Sequence, residues 1–280
     1  MAMRVSRRLV GAAMTGATYS AALLAILPLA AIFGMLVAKG AGSIDWAFFT
    51  RSSVPLGETG GGFAHAIVGT LIMVGLACAI GVPIGVGIGV YLAEFGAGRL
   101  GWVVRFVADI LNGTPSIVIG IFAWTWLVRP AGTFSALAGG AALSVILMPI
   151  VARTTEEMVR LVPNSLREAA LALGYPRWRT SLQIVGRTAG AGIVTGVLVA
   201  MARVAGETAP LLFTALGNQY FSTRLTGPMA ALPLQIYVYA VGPYEEWRRQ
   251  AWAGALVLIL LVLSLGIAAR WVTRGKRSRG

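Results

Sequence analysis

Arg203 and Glu207 stand four residues apart inside an otherwise apolar stretch, residues 190–216. An ionised side chain near a bilayer centre costs about 2.5–3.5 kcal/mol on insertion scales, so both should face a bundle interior rather than lipid. If the stretch is one helix, Arg203 lies near its middle, and Glu207 at i+4 shares its face one turn outward. A guanidinium fork there can grip two oxygens of an oxyanion. A carboxylate at the same place repels an anion, which suits Glu207 to setting the position and charge of Arg203. The alternative is that the pair neutralise each other and lock two helices together. Both readings hold if Arg203 rests on Glu207 and exchanges it for a passing anion.

A second feature lies in LREAALALGYPRWR, residues 166–179. Ser165 and Glu168 have capping-box spacing directly after Pro163, which marks a helix start. Leu166, Ala169, Ala170 and Leu173 then fall at i, i+3, i+4 and i+7, one apolar stripe, with Arg167 and Glu168 off it. Gly174 followed by Pro176 supplies the stop. Two or three turns are too short to be stable alone in water, so the stripe must be covered. A soluble partner, the membrane surface and the underside of the chain's own bundle are all open as the cover.

Other chemistry is absent from the sequence. Cys78 is the single cysteine and His65 the single histidine, so there is no disulfide framework and no metal-ligand cluster. His65 is expected as an interfacial residue. The glycines near residues 85–89 lack GxxxxGK[ST] spacing and lie in an apolar span, which excludes a nucleotide loop. No nucleophile, base and orienter stand together in the polar segments, and no enzymatic activity is expected.

The elements that position these residues are membrane spans. The chain is 57% hydrophobic and only 12% charged, with mean hydropathy +0.79, far from a soluble domain. Apolar runs long enough to cross a bilayer predict six helices at about 17–37, 66–92, 113–128, 137–152, 190–216 and 251–271. The third and fourth are short and carry Pro115 and Pro149, which neighbouring helices would accommodate. Arg4, Arg7 and Arg8 before an apolar run mimic a signal peptide, but the run is too long and lacks a cleavage site, so it reads as a retained helix. Gly81, Gly85 and Gly89 line one helix face and suit close backbone packing in lipid.

The net charge of +13 follows membrane topology rather than nucleic acid. Sixteen basic residues fall on one side of the spans and six on the other, with Arg203 inside a span. By the positive-inside bias both termini are cytoplasmic, leaving 38–65, a turn near 129–134 and 217–250 outside.

EAALALG, followed at a regular interval by Ile184, resembles the EAA-x-x-x-G loop of permease subunits of bacterial ABC importers. In that family the loop helix docks into a groove of the ATP-hydrolysing subunit. A Leu-Pro pair usually follows the Ile; this chain has Gly186 and Arg187. RVAGETAPLLFTALGN, residues 203–218, resembles the signature of PstA-type permeases of phosphate-specific importers. GGGFAHAIVGTL, IGVYLAEF, LNGTPSIVIG and LPLQIYVYA agree with it.

The resemblance implies an all-α integral membrane protein with six transmembrane helices and the type I ABC importer permease fold. It divides into an N-terminal helix and external loop at 1–63, a transmembrane domain at 64–273 with the EAA loop at about 163–180, and a basic cytoplasmic tail at 274–280. The implied function is ATP-driven phosphate import across the cytoplasmic (inner) membrane. Arg203 and Glu207 would serve the path, and Ser165, Leu166, Glu168, Ala169, Ala170, Leu173 and Gly174 would serve ATPase coupling. Implied partners are a related PstC-type permease, two ATPase subunits holding ATP and Mg, and an external phosphate-binding protein. No cofactor is expected on this chain. A permease for sulfate or molybdate is the near alternative, and a non-transporting membrane sensor or scaffold the distant one.

Overall fold

The structure is a computed structural model that describes residues 2–54 and 60–277. Residue 1 and residues 55–59 of the expected 1–63 segment, and 278–280 of the expected basic tail, lie outside the described residues. The side chains of the terminal basic residues lie outside them too.

Among the described residues the regular elements are helices, joined by irregular segments and one isolated bridge between Leu216 and Met229. α1 (Ala2–Gly40) leads through a short 3-10 turn to α2 (Trp46–Thr50) and α3 (Ala64–Glu94). α4 (Arg99–Gly113) and α5 (Ser116–Ala123) follow, and a π-helical turn carries α5 into α6 (Arg129–Ala131). Next come α7 (Ala136–Arg160), α8 (Asn164–Ala172) and α9 (Arg177–Arg179), with a second π turn leading into α10 (Gly186–Ala205). α11 (Ala209–Thr214), α12 (Leu232–Val241) and α13 (Glu245–Arg277) complete the chain. Five helical runs are long and apolar enough to cross a membrane, and a sixth span results if α4 and the α5–α6 run are counted as one broken span.

Three expected spans differ from those found. The stretch 113–128 is the second arm of a pair bent by 103° at Thr114 and Pro115. Pro115 has no N–H to donate and forces Thr114 out of helical geometry, so the helix stops and restarts. The fourth span is longer than 137–152, because Pro149 is absorbed within α7 and the helix continues to Arg160. The stretch 190–216 is not one helix. α10 ends at Ala205, Gly206 to Thr208 break it, and Pro210 opens α11. Gly186 and Arg187 continue the α10 run without interruption.

The core sits between α3 and α7. Gly81, Gly85 and Gly89 all face α7, where an added Cβ would meet Leu147, Val151 and Thr155 within 3 Å. Met73, Ala77, Leu143, Leu147 and Val151 fill this seam, and Val204, Leu211 and Leu234 close it from the α10–α12 side.

A smaller core joins the polar-side segments to the bundle. Phe48 of α2 stacks on Phe63 with ring centres 5.0 Å apart, and Tyr239 of α12 stacks on Trp247 of α13 at 4.6 Å. The segment 217–250, expected outside, therefore packs back through α12. The Leu232 N–H donates to Thr70 Oγ1 at 2.7 Å, and Leu232, Leu234 and Tyr239 are buried. His65, at the start of α3, is buried within the chain, with Nε2 3.0 Å from Ser53 Oγ. α1 stands largely apart and meets the bundle near Gly40, which lies against the α13 backbone at Trp252.

Candidate functional site

The two helix breaks face one another across a cavity of about 200 Å³. Asn112, Thr114, Pro115 and Ser116 line it from the α4–α5 bend, Arg203 and Glu207 from the end of α10, and Ile146 and Ile150 from α7. Each break has a local cause. Thr114 Oγ1 donates to the Ile110 carbonyl at 2.7 Å and finishes α4, while Ser116 opens α5. At the other break the Gly206 N–H donates to the Arg203 carbonyl at 3.2 Å, and the Glu207 N–H to that of Val204 at 3.1 Å. Non-helical backbone at membrane depth is tolerated where it lines a cavity, and such discontinuous helices turn their free backbone groups towards what the cavity holds.

The break changes the geometry expected of Arg203 and Glu207. Arg203 lies in the last turn of α10 rather than mid-span, and Glu207 lies beyond the helix, so the i+4 relation on one helical face does not apply. Neither side chain forms an ion pair with a described residue, and the resting Arg203–Glu207 pair expected from the spacing is not formed. Both nonetheless border the same cavity. The alternative in which the two lock helices together as a direct ion pair is likewise not formed among the described residues.

At one end of the bundle α8 forms the loop helix. It starts two residues earlier than expected, with Pro163 rather than Ser165 as its cap, so Ser165 lies within the first turn and makes no capping bond to the helix. The Ser165–Glu168 capping box is therefore not formed. The stop is as the sequence indicates: Gly174 has φ +81°, its N–H bonds the Leu171 carbonyl, and the Tyr175 N–H bonds that of Ala170. These two bonds are the Schellman arrangement, which needs a left-handed residue at this position.

The stripe itself is divided. Ala170 is 3% exposed against the bundle, whereas Leu166 and Ala169 are exposed and Leu173 is 79% exposed. Trp178 and Leu182 extend this uncovered apolar surface. The bundle thus holds α8 by Ala170 and leaves most of the stripe free.

Arg167 and its neighbours carry more than a topological charge bias. Arg167 donates through Nε and Nη2 to Glu94 Oε1 at 3.0 and 2.8 Å, and through Nη2 to the Val159 carbonyl at 2.9 Å. Glu156, 1% exposed, receives Arg105 and Arg160 at 2.7 Å and Arg153 at 3.4 Å. Arg105 also donates to the carbonyls of Leu92 and Gly96, closing the end of α3. Sequence reasoning counted these arginines for orientation and passed over Glu94 and Glu156. The only sequence signal was an acidic residue at the end of each of two apolar runs.

Broken helices around a polar cavity, with an uncovered loop helix at one end, define a transport subunit of the bilayer. The chain belongs to the family of binding-protein-dependent transport system inner membrane components, whose model matches residues 85–278. Within it, the chain is 48% identical over 266 residues to the phosphate transport system permease protein PstA of Xylella fastidiosa (strain Temecula1 / ATCC 700964), covering 94% of this chain and 92% of that one. The PstA of Haemophilus influenzae is 44% identical, with 94% of each chain covered. The PstA 1 of Mycobacterium tuberculosis (strain ATCC 25618 / H37Rv) is 37% identical, covering 96% of this chain and 89% of that one. In fold it is similar to the inward-facing MetNI methionine ABC transporter, with TM-score 0.60 at 19% identity over 75% of this chain and 92% of that chain. An amino acid ABC transporter solved with histidines gives 0.54 at 16%, over 76% and 92%.

Proposed function

We propose that this chain is the permease subunit of an ATP-driven importer that moves inorganic phosphate across the inner membrane. The observation that carries the reading is Arg203, which forms no ion pair with a described residue and lines a polar cavity between two broken helices, in a chain 48% and 44% identical to the PstA permeases of Xylella fastidiosa and Haemophilus influenzae. The cavity fits an anion in two further respects. Its polar groups include the hydroxyls of Thr114 and Ser116 and the amide of Asn112, and the N-terminal end of α5 opens on it. That end carries a partial positive charge.

As an importer subunit it works with a membrane partner permease, ATPase subunits and a binding protein. In finer terms, a PstC-type sister encloses the path from the far side, two ATPases hold ATP and Mg, and an external phosphate-binding protein delivers the substrate. Both termini and α8 face the cytoplasm, where Leu166, Glu168, Ala169, Leu173 and Gly174 meet an ATPase groove. ATP-driven closure displaces α8, the bundle reorients, and phosphate passes from the outer to the inner side. Arg203 holds two phosphate oxygens during passage, and Glu207 keeps the anion from settling too tightly by repulsion. The chain itself hydrolyses nothing and carries no cofactor.

The test is radiolabelled phosphate uptake at low external phosphate in cells lacking this gene, complemented with wild type or variants whose insertion is verified. Arg203→Gln should abolish uptake, Arg203→Lys retain part of it, and Glu168→Arg abolish it while leaving the path intact. Normal uptake by Arg203→Gln would remove this residue from the path. Uptake of sulfate or molybdate in place of phosphate would overturn the substrate.

A further inference from the structure

We infer that Glu94 is a positioning residue that makes α8 move as one body with α3, so that the loop helix and the membrane bundle share a single displacement. The inference rests on the importer reading above. Glu94 ends α3 and is largely buried, and both of its carboxylate oxygens are engaged by elements beyond α7. Oε1 receives Nε and Nη2 of Arg167 on α8, and Oε2 receives Ser181 Oγ at 3.1 Å from the π turn before α10.

Arg167 completes the fastening on its other side. It donates to the carbonyls of Val159 in the last turn of α7 and of Val162 just beyond it, and to Asn164 Oδ1 at 3.3 Å. One carboxylate and one guanidinium thus join four pieces of chain: the ends of α3 and α7, the loop helix and the entry to α10.

The geometry differs from an ordinary surface ion pair in what it constrains. A planar guanidinium fixed on two sides by carbonyls and on a third by a carboxylate cannot follow a shift of α8 without carrying its acceptors along. Apart from Ala170 the apolar stripe of α8 is uncovered by the bundle, so apolar packing alone holds this helix weakly. The polar fastening is therefore the path by which force on α8 reaches α3. Through the glycine seam it reaches α7 as well. Because the acceptor is ionised, neutralising it weakens the bond while preserving shape.

The experiment uses the assembled complex in liposomes, with purified binding protein inside or omitted, and compares wild type, Glu94→Gln and Arg167→Lys. Two rates are read: basal ATP hydrolysis, and its stimulation by phosphate-loaded binding protein. Basal hydrolysis should stay near the wild-type level in both variants, since the ATPases themselves are untouched. Stimulation should fall about fivefold or more, the lower end of usual coupling between sites, and phosphate moved per ATP should fall with it. Stimulation at the wild-type level in either variant, or a parallel loss of basal and stimulated rates in both, would overturn the assignment, the latter because it marks a merely structural role. Should the wild-type complex hydrolyse ATP in response to the binding protein but move no phosphate, the substrate reading fails, and the coupling inference is still decided by the stimulation ratio.

Discussion

A methyl group added at successive glycines of α3 should have effects graded by what each methyl meets. At Gly89 it would lie 2.5 Å from both the Ala152 carbonyl oxygen and Thr155 Cβ. Carbon contacts settle at about 3.5–4.0 Å, so α7 must retreat by about 1 Å, and a gap of that size forfeits a quarter to a half of the dispersion energy of the pairs it opens. Neither obstacle can rotate away, because one is backbone and the other is a branch point. At Gly85 the contacts are Met148 O and Val151 Cβ, both at 2.9 Å, a smaller intrusion on equally stiff atoms. At Gly81 the nearest atom is Leu147 Cδ2, also at 2.9 Å, the end of a flexible side chain. Gly75 and Gly87 have nothing within 4 Å.

Overpacking costs about 1–3 kcal/mol, against which Gly→Ala in a helix gains about 0.5–1 kcal/mol. Gly89→Ala should therefore be clearly destabilising and Gly85→Ala less so, with Gly81→Ala near neutral and Gly75→Ala and Gly87→Ala neutral or slightly stabilising. The assay heats detergent-solubilised protein in aliquots and reads the fraction that remains monodisperse on a sizing column. Equal midpoints for Gly89→Ala and Gly87→Ala, or a lower midpoint for Gly87→Ala, would refute the seam as the main contact of α3.

Three further substitutions probe the loop-helix end. Glu156→Gln should lower the same thermal midpoint by an amount equivalent to about 1–3 kcal/mol, because three arginines lose their shared acceptor; the partial exposure of those arginines keeps the loss below that of a fully buried pair, and an unchanged midpoint would show the cluster to be decorative. Leu173→Asp should leave insertion and thermal midpoint unchanged yet weaken ATPase association by about thirtyfold, the weight of a 2 kcal/mol hot spot, measured by titrating purified ATPase onto the solubilised permease pair. Undiminished binding would move the interface elsewhere. Gly174→Ala should cost about 1–2 kcal/mol through its left-handed backbone and loosen the end of α8, seen as faster hydrogen exchange at Gly174 and Tyr175; wild-type exchange rates there would contradict the cap.

Much of this was readable in the residues. The apolar runs located the spanning helices, the loop-helix stop was written in Gly174 and Pro176, and the glycine spacing of α3 marked a close-packed face. What failed was continuity. Hydropathy is an average and reports Pro115 and Gly206 as small dips in long apolar runs, whereas backbone hydrogen bonding makes each of them a break. The Arg203–Glu207 relation was misread for the same reason, since i+4 geometry presumes the helix that Gly206 ends. The capping box failed by two residues, a displacement that Pro163 permits because it can itself open the helix. The long-range fastening of Glu94 to Arg167 and Ser181 and of Glu156 to Arg105 was barely legible, as it joins residues 51 to 87 positions apart whose partners only the fold selects; the bonds of Glu156 to Arg153 and Arg160 are local to the helix.

The breaks and the fastening acquire a common meaning through α7. This helix contributes Ile146 and Ile150 to the cavity wall and the Val159 carbonyl to Arg167, positions separated by nine residues from Ile150 onward, or about 14 Å of helix. The proline at 149 lies within it without ending it. An element unbroken over this length transmits displacement as a rod, while the bend at Thr114–Pro115 and the gap at Gly206–Thr208 are places where neighbouring backbone can change direction. A push on α8 would then shift the α7 wall of the cavity relative to Arg203, which sits on the last turn before a gap. Rigidity along α7 and breaks around the cavity are the division of labour that the proposed alternating access requires of a single subunit.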